Sequence, residues 1–95
     1  MSTLGILVNS DKYRDEVLGV VQAAKKAGHD VKIFIMDDGV LLGNELCGDI
    51  GTDAEVAYCD HSAQPKGIKE IKGALAGSQF QNATMMHEAD KVVVF

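Results

Sequence analysis

The chain has 95 residues, of which 46% are hydrophobic and 24% charged, an ordinary globular composition that predicts one small domain with a single core over residues 1–95. Nine basic against fourteen acidic residues give a net charge of -5, and no basic cluster is longer than Lys25-Lys26, which disfavours nucleic acid and anionic membrane as partners. No apolar run approaches the roughly 20 residues that span a bilayer, and the start, Met1 to Val8, lacks the basic segment of a secretory leader, so a cytoplasmic protein is expected.

Leu4 to Val8 is a nearly continuous aliphatic run that stops at Asn9-Ser10-Asp11, which predicts a strand buried on both faces. From Arg14 to Ala27 apolar residues fall at Val17, Val20, Val21, Ala24 and Ala27. That is the stripe of an amphipathic helix, with Gly28 placed as its C-terminal cap and Ser10 or Asp11 available to cap its start. Asp30 to Met36 reads as a second strand, wholly apolar toward its end. Strand, helix and strand with short joins make a βαβ unit, which implies parallel pairing and a right-handed crossover.

Val40 to Leu46 is expected to be a short helix capped by Asp38 and interrupted by Gly43, and Cys47 to Thr52, with Gly48 and Gly51, a loop. Ala54 to Cys59 is a third strand and Ala74 to Ala76 a very short fourth. Gln79 to Glu88 is a helix turning Phe80, Ala83 and Met86 inward, and Lys91 to Phe95 a last strand. The run Val92-Val93-Val94-Phe95 is apolar enough to predict a place inside the sheet. The expected fold class is α/β, a three-layer sandwich around about five mostly parallel strands. A domain of this size often gains stability by associating, so self-assembly is expected too.

The stretch from Glu55 to Ile68 carries the candidate chemistry. Cys59 ends a strand, and Ser62 and Pro65 can start a helix just beyond it. In a parallel sheet the carboxyl ends of strands are where ligands and reactive groups gather. A thiol there, beside unpaired N–H groups and the positive end of a helix dipole, is expected to favour its anionic, nucleophilic form, with His61 and Lys66 as neighbouring sources of positive charge. The other reading is that Cys59 is a small hydrophobe closing a buried strand. Cys59-Asp60-His61-Ser62 also has the spacing of a Cys-x-x-Ser redox site, a short pattern that needs a second thiol for disulfide exchange. Cys47 is a candidate resolving thiol, or a packed one, since a reducing compartment disfavours a structural disulfide.

Other motifs point to less. Asp11, Asp37 and Asp38 all follow strands, where they either bind a cation or cap helices and loop N–H groups. Asn9 to Tyr13 occupies the phosphate-binding position of flavodoxin-like folds without the glycine that close backbone approach needs. His29 and His87 lie at no zinc-site spacing. No cofactor and no metal are therefore expected. Met85-Met86 reads as helix core and rim.

Three stretches carry a family resemblance: Lys32 to Val40, then Val56-Ala57-Tyr58-Cys59 followed by Lys66-Gly67-Ile68, and Ala89 to Phe95. In order and spacing the chain resembles the DsrE/DsrF-like family, which includes small YchN-type proteins and the sulfur-relay subunits TusD and DsrE. The resemblance implies a parallel α/β domain that assembles as trimers or hexamers. It also implies a cysteine, at the position of Cys59, that accepts sulfur as a persulfide from a donor protein and passes it to an acceptor. The chain departs from relay members at Asp60-His61-Ser62 and Pro65-Lys66, where they tend to have small apolar residues and a basic pair. The functional expectation is a sulfur carrier acting through Cys59, with His61, Ser62 and Lys66 in support. The alternatives are a non-catalytic oligomeric binding or scaffolding protein, and a thiol redox sensor using Cys47 and Cys59.

Overall fold

The computed structural model describes residues 2–95, and its centre is a five-stranded parallel sheet in the order β4-β3-β2-β1-β5. The strands are β1 (Thr3–Val8), β2 (Asp30–Ile35), β3 (Glu55–Cys59), β4 (Leu75–Gly77) and β5 (Lys91–Val94); the α-helices are α1 (Arg14–Lys26), α2 (Gly43–Ile50), α3 (Asp60–Ala63) and α4 (Gln79–Glu88). This is the expected three-layer α/β sandwich.

The handedness of parallel crossovers decides which helix covers which face. From β1 to β4 the chain steps across the sheet in one direction, so right-handed connections place α1, α2 and α3 on one face. It then returns past β1 to form β5, and the reversed step sends α4 to the other face. The core divides accordingly. Ile6, Val8, Ile33, Ile35, Val56 and Tyr58 meet helix residues such as Val17, Val21, Leu46 and Ile50 on the first face. On the second, Phe34 and Cys59 meet Met85 of α4. Alternation along each strand produces this split, as with Tyr58 facing one way and Cys59 the other.

Several local expectations are corrected. The first turn of α1 has no side-chain cap; Tyr13 holds the cap position, and the Ser10 hydroxyl is buried without a hydrogen-bond partner. Its other end is as expected, since Gly28 takes φ +86° and its N–H donates to Lys25. Asp37 to Leu42 form a 3-10 turn, and Gly43 begins α2 rather than interrupting a helix. Cys47 is therefore a helix residue and not part of a loop. The 3-10 turn lies tight against β1: a Cβ on Gly39 would stand 2.4 Å from the Val8 carbonyl oxygen, so this position requires glycine.

Two corrections concern the last third of the chain. In α4 the inward residue is Met85, while Phe80, Ala83 and Met86 are exposed, Phe80 by 73%. The valine strand β5 forms an edge of the sheet instead of its interior, and pairs with β1 alone. Among the described residues, no helix is long and apolar enough to cross a membrane.

Candidate functional site

Cys59 is the last residue of β3 and stands in register with Gly77, the last residue of β4. The chain leaves β3 toward the face of α1 and leaves β4 toward the face of α4. A crevice at the carboxyl ends of two adjacent strands that part in this way is the usual ligand position in an open α/β sheet. Helices begin directly on both sides: α3 at Asp60 and α4 at Gln79. Ser78 caps α4 by accepting from the Phe80 N–H at 3.2 Å, while the Gln81 side chain accepts from the Ser78 N–H at 2.6 Å.

The backbone around the thiol is tighter than expected. Cys59 itself, with φ -80° and ψ 108°, holds the cap position of α3, and Ser62 lies inside that helix. Helical geometry follows the cysteine immediately, so the first N–H groups of α3, which have no partner within the helix, come directly after Cys59 in the chain. Pro65 falls in the 3-10 turn Gln64–Lys66 that continues α3. The Asp60 carboxylate accepts from the Gln64 amide at 2.7 Å and steadies this turn.

The side chain of Cys59 is only 4% exposed. It packs with Phe34 and Met85, and the half-buried Leu7, Met36 and Ala57 complete the cluster. The Gln79 amide donates to the Met36 sulfur at 3.8 Å, which ties the start of α4 to the end of β2 above this cluster.

The other candidate residues are dispersed. His61 points to solvent. The Lys66 ammonium pairs with Asp38 at 3.2 Å, joining the 3-10 turn after α3 to the one after β2. Asp38 therefore acts as an ion-pair partner across two loops and does not cap a helix. Cys47 is buried on the α1 face, on the opposite side of the sheet from Cys59, and burial pushes its thiol pKa up. The sheet separates the two sulfurs, so the expected resolving role has no geometry within one chain. Among the described residues there is no group of three or more His, Cys, Asp or Glu side chains placed to hold a metal ion.

One feature of this face escaped the sequence reading. Helix α4 covers β1 and β2 but leaves a cleft of about 450 Å³ over β3 and β4, floored by Phe34, Ala57 and Leu75 and walled by Phe80, Gln81 and Met85. Phe34, Ala57 and Met85 belong both to this cleft and to the cover of Cys59. At the amino-end of the cleft, Lys32 pairs with Glu88, and with Glu55 at 3.6 Å. The hydrogen bond from Lys32 holds Glu88 below the usual carboxylate range, and the same bond raises the Lys32 pKa. The signal available in the sequence was a lysine, Lys32, inside an otherwise apolar run.

No curated protein matches the sequence significantly. The profile of the DsrE/DsrF-like family matches residues 3–95, nearly the whole chain and every element of the sheet. The protein belongs to the DsrE/DsrF-like family.

Proposed function

We propose that the protein is a cytoplasmic sulfur carrier that holds sulfane sulfur as a persulfide on Cys59 and relays it to a partner protein. The observation that supports this most is the position of Cys59, at the carboxyl end of a parallel strand and at the cap of α3, beside Gly77 where the chain parts to opposite faces. Membership of a family with sulfur-relay members agrees with it.

In the loading step the Cys59 thiolate attacks the terminal sulfur of a donor persulfide. A new S–S bond forms, the donor's S–S bond breaks, and the donor leaves as a thiolate. In the second step an acceptor thiolate attacks the outer sulfur and Cys59 leaves as the thiolate, so no net oxidant or reductant is consumed. The N–H groups at the start of α3 are suited to steady the Cys59 thiolate that attacks in the first step and leaves in the second. The ion pair of Lys66 keeps that turn in place, the backbone N–H groups near Ser62 belong to it, and exposed His61 is open to a partner. Because Cys59 is buried, the reading requires that its cover move when a partner engages. As a small domain with an apolar sheet edge, the carrier is further proposed to assemble with copies of itself.

The test is incubation with a persulfide donor followed by peptide mass mapping. One added sulfur on the peptide containing Cys59 is the expected result; added mass on Cys47 only, or on neither under several donors, overturns the proposal. The burial of Cys59 favours a second reading, an oligomeric binding or scaffolding protein in which this thiol is only packed. Alkylation of the folded protein separates the two, since a merely packed thiol reacts only as fast as the protein opens.

A further inference from the structure

The cleft of about 450 Å³ that α4 leaves over β3 and β4 is of the size that takes a small molecule. Its two ends differ in chemistry. Toward the carboxyl ends of the strands it is apolar, with Leu75 of the floor and Phe80 of the wall largely exposed. The polar side chains of the wall are spent within the protein: the Gln81 carboxamide oxygen accepts from the Ser78 N–H, and the Thr84 hydroxyl donates to the Phe80 carbonyl at 3.0 Å. A molecule lying along this stretch therefore gains from apolar contact and finds little hydrogen bonding.

All the formal charge in the lining stands at the amino-end, on Lys32, Glu55 and Glu88. Two carboxylates against one ammonium leave one negative charge in excess. Lys32 hydrogen-bonds Glu88, whereas Glu55 stands 3.6 Å from the ammonium, beyond hydrogen-bond length, with its side chain 80% exposed. The Glu55 oxygens are thus open to a further donor, while an anion would have to displace Glu88 from Lys32. Phe80 and Glu88 lie at opposite ends of α4, separated by about 12 Å of helical rise, which sets the length of a molecule that touches both ends.

We propose that the cleft binds a small amphiphilic cation, with an apolar or aromatic body along Leu75, Phe80 and Met85 and an amine or guanidinium group at Glu55, and that the bound molecule holds Cys59 covered. The second part follows from residues the two places share. Phe34, Ala57 and Met85 line the cleft and also pack over Cys59. A molecule seated against them requires them where they stand, so it favours the covered arrangement over any in which Met85 has moved. Binding and cover are properties of the folded chain and do not depend on sulfur transfer; in a sulfur carrier the same molecule would slow loading.

The probes are phenylhexylamine, phenylhexanoate and phenylhexanol, which share a body and differ in charge. In titrations followed by residue-resolved NMR, the signals of Ala57, Leu75, Phe80 and Met85 are expected to shift, and the amine to bind about fivefold more tightly than the acid, with the alcohol between them. Glu55→Gln, at an exposed strand end, is expected to erase most of that preference. With the amine at about ten times its Kd, alkylation of Cys59 is expected to slow about tenfold, and by more than that of Cys47 on the other face. Equal or tighter binding of the acid, or shifts outside the cleft, overturns the site, and a preference that survives Glu55→Gln overturns the place given to the cation. Unchanged or faster alkylation of Cys59, or equal slowing of both cysteines, overturns the hold on the thiol. The comparison of the three probes needs no variant, so a poorly folded Glu55→Gln chain would leave the test intact.

Discussion

Cys59 and Gly77 stand side by side in register at the ends of β3 and β4, and the chain leaves them toward opposite faces of the sheet. That relationship opens a crevice at the thiol, and part of the cover over it, Met85, comes from α4, the helix that follows Gly77. The accessibility of Cys59 is thereby coupled to the packing of Met85.

Truncating that cover should expose the thiol. Met85 is buried against Phe34 and Cys59, so Met85→Ala is expected to cost about 2–5 kcal/mol of stability. Denaturant unfolding measures the loss. Peptide-resolved alkylation should show Cys59 labelled faster by more than Cys47, which lies on the other face; equal acceleration of both would mean that only global opening had changed.

Two glycines nine positions apart should respond with opposite sign. Gly39→Ala drives a methyl group against the Val8 carbonyl and is expected to destabilise by about 1–3 kcal/mol. A Cβ at Gly48, inside α2, meets nothing within 4 Å, so Gly48→Ala is expected to stabilise by up to about 1 kcal/mol through helix propensity. Thermal melts of the two variants compare them directly.

The Lys66–Asp38 pair is solvent-facing, and pairs of this kind contribute roughly 0–1 kcal/mol. Asp38→Asn should therefore change the unfolding midpoint little, and less still at high salt. If Lys66 supports the site by holding its turn, the same variant should slow persulfide loading of Cys59 while leaving stability nearly intact.

The pH dependence of stability has two separable limbs. Glu88 is held low by Lys32, so its contribution is present above the unfolded glutamate range and is lost as pH falls through the lower folded value. Glu88→Gln should flatten the acid limb. Cys47 is raised by burial, so its contribution is complete below the unfolded thiol range and is lost as pH rises toward the folded value. Lys32, also raised, extends that loss at still higher pH. Cys47→Ala should remove the earlier part of the alkaline limb in stability curves measured against pH.

Much of the molecule is legible in the residues alone. Aliphatic runs that end on polar residues mark β1, β2 and β3, a 3.6-residue stripe marks α1, and Gly28 marks its end. Those signals are local, because backbone hydrogen bonding and the burial of one face decide them within a few residues. The alternation of strand and helix then implies a parallel sheet. The position of Cys59 at a strand end follows from the same patterns.

Tertiary structure alone decided the rest. Whether Val92 to Phe95 lies at the centre or the edge depends on strand order, and an apolar run looks the same in both places until its neighbours are known. The inward residue of α4 depends on where the helix meets the sheet, and it proved to be Met85 and not Phe80 or Met86. Cys47 and Cys59 are 12 positions apart in the chain, yet they lie on opposite faces, because a helix above one face and the end of a strand that points to the other put the sheet between them. Local residue chemistry determined the elements and the candidate thiol; the direction of each crossover decided what surrounds it.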